Sequence, residues 1–191
     1  MPATSRSRPI REALGHFDRF LKGKGIDVGA PPDPLYPASA TFRTWNEFDG
    51  DGQILKGIPD GSLDFLYSSH CLEHLDDIPL ALQHWTRVVR AGGILFILVP
   101  DWTLYEKRLW PSKHNSTHRQ TFSLELTRED VGRSTHWHVR RDLRPLLAAL
   151  GVRVIDTALE DDGFDDAAFP ADQTLEDRAL AQIRLIARKE R

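Results

Sequence analysis

The chain has 191 residues, of which 40% are hydrophobic and 28% charged, a composition typical of one globular domain with a sizeable core. Its formal charge of -3 provides no basic field for nucleic acid, and no run of ~20 apolar residues indicates a membrane span. The single cysteine, Cys71, excludes an internal disulfide and predicts a cytoplasmic protein.

The N-terminal residues differ in composition from those that follow. Residues 1–9 are small, polar and basic, which predicts a flexible N-terminal tail. From Ile10 to Leu21 apolar residues recur every three or four positions, so an amphipathic helix is expected to start there and end near Gly23. The folded domain is therefore predicted to span residues 10–191.

Alternating helix and strand signals follow. The segments GIDVGA, TFRTW and SLDFLY are strand candidates, and residues 78–89 place apolar side chains mostly on one helical face. The run ILFILVP has six apolar residues without polar alternation, which is typical of a strand buried on both faces. A helix over residues 141–150 and the strands VRVID and QIRLIAR complete the series. The order predicts an α/β fold, a single-domain, doubly wound, mainly parallel Rossmann-like sheet with an antiparallel C-terminal edge strand.

In such sheets ligands bind beyond the carboxyl ends of the strands. Gly29 follows the first strand, where a ligand needs close backbone approach, and Asp27 precedes it by two residues. A diphosphate ligand is not expected, because the fingerprint G-x-G-x-x-G is absent after Gly29. Asn46 and Glu47 end the second strand, about 20 residues beyond Asp27, where an acidic side chain holds ribose hydroxyls in sheets of this kind.

The segment SSHCLEHL has two interpretations. His70, Glu73 and His74 fit H-x-x-E-H, an inverted zinc-peptidase motif, which would make the protein a zinc hydrolase if a third ligand exists. Alternatively the segment lines a nucleotide-type pocket, with Glu73 structural, because His70 stands at the last step of the predicted strand. Two further histidine pairs are closely spaced, but a pair does not make a zinc site and no metal is predicted. They are His114 with His118 and His136 with His138.

Four segments carry a family resemblance. GKGIDVGA, DGDGQIL, GSLDFLYSSHCLEHLDD and RVVRAGGILFILVPD resemble, in this order and spacing, the class I S-adenosylmethionine-dependent methyltransferases, specifically the small type-11 group. The resemblance covers residues 22–101 best and implies S-adenosylmethionine as the cofactor. It also implies which residues contact each part of that cofactor: Asp27, Gly29 and Ala30 the methionine end, Asn46 or Glu47 the ribose, Asp51, Gly52 and Gln53 the adenine, and Ser68, Ser69 and His70 the sulfonium.

The acceptor is expected above this cofactor. The segment after ILFILVP is long, polar and aromatic, as substrate-binding loops often are, which predicts a polar small-molecule or glycan-type acceptor. If the methyl group goes to a hydroxyl, His70 is the first candidate for the general base and His74 the second. A non-catalytic methyltransferase-like binding module stays open beside the zinc hydrolase, and so does the oligomeric state. The predicted acceptor-binding residues are Trp102, Tyr105, Arg108, Trp110, His114 and His118.

Overall fold

The computed structural model describes residues 3–30, 32–37, 40–113, 115–165, 167 and 179–190. The helices are α1 (Ala3–Ala13), α2 (His16–Phe20), α3 (Ile78–Val88), α4 (Arg128–Val131) and α5 (Arg144–Ala149). The strands are β1 (Gly23–Val28), β2 (Ala40–Trp45), β3 (Leu63–Ser69), β4 (Val89–Pro100), β5 (Thr121–Ser123), β6 (His136–His138), β7 (Val152–Glu160) and β8 (Gln182–Lys189). None of the helices in these ranges has the length and apolar character to cross a membrane.

Six strands form the central sheet, in the order β2-β1-β3-β4-β8-β7. The first four are parallel, whereas β8 runs antiparallel to both of its neighbours, β4 and β7. This confirms the predicted mainly parallel sheet with antiparallel pairing at its C-terminal edge. The last strand of the chain lies second from that edge, with β7 outside it. A separate small sheet pairs β5 with β6.

Both faces of the sheet are covered. Successive residues of its strands point to opposite faces and are buried on both. In β3, Leu66 belongs to the core cluster that contains Trp85 of α3, whereas Phe65 and Tyr67 belong to the cluster on the other face with Phe20 of α2. All five side chains are buried. The result is a three-layer α/β/α arrangement, as expected for strands that are apolar in every position.

The N-terminal segment differs from the predicted flexible tail. Residues 3–9 belong to α1, and two polar contacts, of which the first is buried, attach this helix to the rest of the protein. The Arg11 guanidinium pairs with the buried Glu160 carboxylate, and the Ser5 backbone N–H donates to Asp33 at 2.7 Å. The single helix expected over residues 10–21 is two helices, separated at Gly15, whose φ is +62°. Long-range pairing, and not local apolar spacing, therefore holds α1.

The glycine pair after α3, Gly92 and Gly93, lies inside a strand. The helix ends at Val88, and the next residues already belong to β4. A Cβ on Gly93 would lie 2.7 Å from the Asp64 carbonyl oxygen and 2.5 Å from Cγ1 of Val89. Gly93 therefore allows the backbone of β4 to approach β3 closely.

Candidate active site

The loop after β1 touches the turn after β3 at the point where the strand order reverses. Gly29 has a φ of +83° and donates its N–H to the Trp45 carbonyl at 2.9 Å. A Cβ on Gly29 would lie 2.5 Å from Cβ and 2.8 Å from Sγ of Cys71. The site therefore requires glycine, both for the conformation and for the close approach. Such a switch point is where open α/β sheets bind ligands.

Asp27 organises the chain that leaves β1. Its side chain is 1% exposed and accepts the Leu35 backbone N–H at 2.7 Å. Burial raises the pKa of Asp27 to about 7, against the opposing effect of that hydrogen bond, and the charge of Asp33 raises it further. Asp27 thus closes the proline-rich loop, and Ala30 within this loop is buried. Direct contact of these residues with the cofactor stays a prediction.

The predicted ribose residues lie in the turn that follows β2. Asn46 Oδ1 accepts the Phe48 N–H at 2.8 Å, so this side chain is engaged in the turn itself. Glu47 is exposed. The neighbouring Phe48 ring is 92% exposed. Of the two candidates, Glu47 presents its side chain to solvent at this edge of the sheet.

The predicted adenine loop is attached to α3. Trp85 Nε1–H donates to the Gly52 carbonyl at 2.8 Å, and the Asp77 N–H donates to Gln53 Oε1 at 2.7 Å. Asp51 accepts the Gln53 N–H at 2.7 Å, which forms a tight turn. The side-chain oxygen of Gln53 is therefore engaged in a hydrogen bond within the protein, whereas the Asp51 residue is exposed to solvent.

His70 is held by a chain of hydrogen bonds that starts outside its own segment. It directly follows β3 with a φ of +53°, and its Nε2 lies 2.8 Å from Gln182 Oε1. Gln182 donates its amide N–H to Glu160 at 2.7 Å. Burial opposes ionisation of Glu160, but Arg11, Gln182 and Arg184 together outweigh burial and lower the pKa of Glu160. Because Glu160 only accepts, Gln182 Oε1 must accept from His70, whose Nδ1 is left with a lone pair.

Three imidazoles surround the carboxylate of Glu73. The nitrogens His70 Nδ1, His74 Nε2 and His118 Nε2 lie 3.5, 3.8 and 3.9 Å from Glu73 Oε1. Burial raises the pKa of Glu73 to about 7, against the opposing effect of His118. Burial also lowers the pKa of His70 to about 4 and that of His74 below its ordinary value. Glu73 is fully buried at the centre of this histidine cluster, with no side-chain exposure to solvent.

The segment after β4 contributes two predicted acceptor residues to this cluster. The Tyr105 ring stacks on His118 with centroids 5.4 Å apart and lies 6.3 Å from the His70 ring. His118 is buried, 7% exposed. Tyr105 and His118 therefore lie beside the predicted catalytic histidine, whereas a role in acceptor binding stays a prediction.

Of the remaining predicted acceptor residues, the three that the structure describes lie outside this cluster. Trp102 and Trp110 both pack against Arg133, whose guanidinium carbon lies 5.2 and 4.4 Å from their ring centroids. Trp102 is buried, and Arg108 is exposed. His114 lies outside the described residues. Arg133 thus organises the two tryptophans, a role that no local sequence pattern indicated.

The geometry of SSHCLEHL differs from that of an inverted zinc peptidase. A 3₁₀ turn spans only Leu72–His74, and His70 lies before it at the strand end. The two histidines of the motif are therefore not paired one turn apart on a helix. Glu73, between them, is buried.

Two partners of the site, Gln182 and Glu160, were not predicted from sequence. Gln182 begins β8, and Glu160 ends β7. Because β8 is antiparallel, its first residue lies at the same edge as the last residues of β4 and β7. A polar residue at the start of a predicted antiparallel strand is the only local signal that could have indicated Gln182.

Comparison with known proteins gives matches of two kinds. Residues 34–97 match the family model of a methyltransferase domain, that of the type-11 group. Comparison with curated protein sequences finds no significant match. Three solved structures share the fold over nearly the whole chain.

The first is an S-adenosylmethionine-dependent methyltransferase from Archaeoglobus fulgidus, with 16% identity, a TM-score of 0.59, and coverage of 97% of this chain and 93% of that one. The second, from a complex between a methyltransferase activator and a methyltransferase of Haloferax volcanii, has 13% identity, a TM-score of 0.54, and coverage of 98% and 95%. The third, an S-adenosylmethionine-dependent methyltransferase from Mesorhizobium loti, has 15% identity, a TM-score of 0.51, and coverage of 96% and 97%.

Proposed function

We propose that the protein is an S-adenosylmethionine-dependent methyltransferase that methylates a hydroxyl group of a polar small molecule or glycan. The match of residues 34–97 to a methyltransferase family model, on a fold shared with solved methyltransferases, supports this activity. The observation that carries the proposal is the switch point between β1 and β3. There Gly29 and the turn at residues 69–71 approach within contact distance, next to His70.

The residues at this edge fit the cofactor. Gly29 has no side chain to block close approach of a ligand to the backbone at the switch point. Asp27 fixes the loop that follows through its hydrogen bond with the Leu35 N–H. Glu47 offers an exposed carboxylate at the end of β2, a group that accepts hydrogen bonds from ribose hydroxyls. The cofactor supplies a methyl group activated by the positive charge of its sulfonium. The protein has mainly to position the acceptor, for which effective molarities reach ~10⁵–10⁸ M.

His70 is the proposed general base. Its Nε2 is committed to Gln182, so its Nδ1 carries the lone pair that accepts a proton from the acceptor hydroxyl. The Gln182–Glu160 pair fixes both the ring orientation and the tautomer, which is the part that an orienting residue plays beside a catalytic histidine. His74, whose Nδ1 is bonded to Thr117, is the weaker candidate.

The segment beyond β4 supports the proposed acceptor class. Tyr105 lies beside His70, and the described part of this segment is mostly polar. An aromatic ring with polar neighbours suits a hydroxylated acceptor such as a sugar, which stacks on the ring and hydrogen-bonds at its edge. A cytoplasmic location also stays a proposal, which the single cysteine supports.

Isothermal titration with S-adenosylhomocysteine tests cofactor binding. Glu47→Gln is expected to weaken binding about 10–100-fold, since a charge-assisted hydrogen bond contributes ~1.5–3 kcal/mol. Glu190→Gln is the matched control. Glu190 is exposed and follows the antiparallel β8, so it lies at the opposite edge of the sheet. Folded wild-type protein that binds nothing at millimolar concentration would contradict the proposal.

Turnover separates an enzyme from a binding module. With isotope-labelled S-adenosylmethionine and fractionated cell extract, the label is expected as an ether methyl in the polar small-molecule or glycan fraction. His70→Gln should lower the turnover about 10²–10⁴-fold while cofactor affinity is retained. Cofactor binding without transfer in any fraction would indicate the binding module, and label on nitrogen or carbon would exclude O-methylation.

A further inference from the structure

Glu73, His74 and His118 bring three metal-ligand atoms together at the carboxyl edge of the sheet. Glu73 Oε1 lies 3.8 Å from His74 Nε2 and 3.9 Å from His118 Nε2, and the ligand atoms of the three residues all lie within 4.8 Å of one another. Glu73 and His118 are buried, whereas the His74 side chain is 31% exposed. The site is thus enclosed on most sides but reachable past His74.

The hydrogen bonds around His74 determine which ring nitrogen carries the proton. Asn115 Oδ1 accepts both the Thr117 N–H and the Thr117 hydroxyl, at 3.1 and 2.7 Å. The Thr117 hydroxyl, its one proton used, is an acceptor toward His74 Nδ1 at 2.9 Å, and so is the Thr117 carbonyl at 3.3 Å. His74 Nδ1 therefore donates, and Nε2, which is directed to Glu73, carries a lone pair.

In His118, too, Nδ1 is the donor, but its acceptor is a carboxylate. Its Nδ1 is hydrogen-bonded to the buried Glu106 carboxylate, which accepts. In the neutral imidazole His118 Nε2 therefore carries a lone pair near Glu73 Oε1. A carboxylate on the remote nitrogen is the usual partner of a metal-binding histidine, because it fixes the ring and raises the basicity of the coordinating nitrogen.

Two imidazole lone pairs and a buried carboxylate thus face one another with no donor between them. No other residue that the structure describes donates a hydrogen bond to either Glu73 oxygen. A buried carboxylate without hydrogen-bond or charge partners is destabilising, because it has lost its hydration without compensation. One proton would link only one pair of these atoms, and both separations exceed hydrogen-bond length. A cation bound by all three atoms would instead attract both lone pairs and the carboxylate, and so remove the repulsion among them.

Main-chain contacts hold the ligands in this arrangement. The N–H groups of Arg119 and Gln120, which follow His118, both donate to the Glu73 carbonyl, at 2.8 and 3.0 Å. The Gln120 side chain also donates to the carbonyls of Leu75 and Asp76, both at 3.1 Å. The segment that carries His118 is therefore attached directly to the turn that carries Glu73 and His74, and the ligand positions follow from the backbone.

We propose that Glu73 Oε1, His74 Nε2 and His118 Nε2 bind a divalent transition metal ion, for which zinc is the best match. Two imidazoles and one carboxylate are an established ligand set of catalytic zinc, which keeps its fourth position for water or substrate. Tetrahedral bonds of about 2.0–2.2 Å place ligand atoms about 3.3–3.6 Å apart. The two Glu73–histidine separations exceed this spacing by a few tenths of an ångström and the widest separation in the group by up to about 1.5 Å, which rotations of the side chains close. The fourth position serves a water molecule or an oxygen of the acceptor.

This ligand set differs from the one that H-x-x-E-H suggests. Glu73 is a ligand and not the base that activates water, and His118 replaces His70 as the second histidine. His70 Nδ1 lies 3.5 Å from Glu73 Oε1, outside the three-residue group but next to it. The metal site therefore adjoins the proposed general base without consuming it.

Cobalt titration of the whole 191-residue chain tests the site. Protein stripped with chelator and then freed of it is titrated with Co²⁺, whose visible absorption reports coordination, and Zn²⁺ is added to compete. One Co²⁺ per chain with four- or five-coordinate bands, displaced by one Zn²⁺, is expected. Glu73→Gln and His74→Gln should each weaken binding by at least about 100-fold, more than loss of an outer hydrogen-bond partner does.

His84→Gln is the matched control, because His84 lies on α3 outside the cluster and pairs with Arg87. It should bind Co²⁺ as the wild type does. Circular dichroism checks folding, and if Glu73→Gln fails to fold, the half-exposed His74 provides the test alone. Wild-type protein without coordination bands, or His74→Gln that binds as tightly as the wild type, would overturn the proposal. The measurement needs neither methyl donor nor acceptor, so its outcome is independent of the proposed function.

Discussion

Replacement of Asp27 with asparagine is expected to change how the stability of the protein depends on pH. Asp27 is 1% exposed, and burial raises its pKa from 3.8 to about 7. The Leu35 N–H lowers this pKa and the charge of Asp33 raises it, but neither outweighs burial. Asparagine keeps an oxygen that can accept the Leu35 N–H but cannot ionise, so it mimics the protonated acid at every pH.

The raised pKa of Asp27 determines whether stability rises or falls with pH. Between pH 4 and pH 7 the folded protein keeps a proton that the unfolded chain has lost. The stabilising contribution of Asp27 is therefore complete below pH 4 and is lost as the pH rises through 7. A pKa raised from 3.8 to about 7 corresponds to about 4 kcal/mol, at about 1.4 kcal/mol for each pH unit.

Urea unfolding from pH 4 to pH 8 measures the effect. The difference in unfolding free energy, Asp27→Asn minus wild type, should increase by about 4 kcal/mol over this range, because the variant lacks the penalty for burying a charge. The exposed Asp18, changed to asparagine, is the control and should follow the wild type. Stability curves of Asp27→Asn and wild type that stay parallel within about 1 kcal/mol would refute the argument.

Two further substitutions test the contacts that hold the site together. Gly29→Ala should destabilise the protein by about 1–3 kcal/mol more than Gly57→Ala, because both glycines have a φ near +85° but only Gly29 would overlap Cys71. Equal effects in chemical denaturation would mean that the contact with Cys71 is not limiting. Arg11→Met should cost about 3 kcal/mol, because it leaves the buried Glu160 with fewer positive partners, and a loss under about 1 kcal/mol would show that α1 does not depend on this pair.

The strands were predictable because their signal is local. The run ILFILVP lies in β4, buried throughout its second half, and SLDFLY gives β3. A strand that is apolar in every position can be stable only with cover on both faces, so the sequence also indicated the parallel α/β class. The position of β8 between β4 and β7 depends on pairing between distant strands, which local periodicity does not encode.

The N-terminal helix shows why composition was a poor guide. Residues 3–9 are polar, yet Arg11 finds its partner Glu160, 149 positions away along the chain. A polar helix is stable here because its charged and hydroxyl groups have buried partners. Without those partners a segment of this composition would be a mobile tail, which is what the sequence suggested.

The sequence by itself determined the class of fold and the strand ends at which the candidate residues Gly29, Glu47 and His70 lie, because strand periodicity and glycine placement are properties of short segments. Only the tertiary structure decided which side chains meet: Gln182 at His70, and His118 with Glu73. His74 and its partner Thr117 are 43 positions apart, and their contact depends on how the chain returns to the sheet. Burial then sets the chemistry, because removal of water makes an unpaired carboxylate or imidazole lone pair unfavourable without a counter-charge.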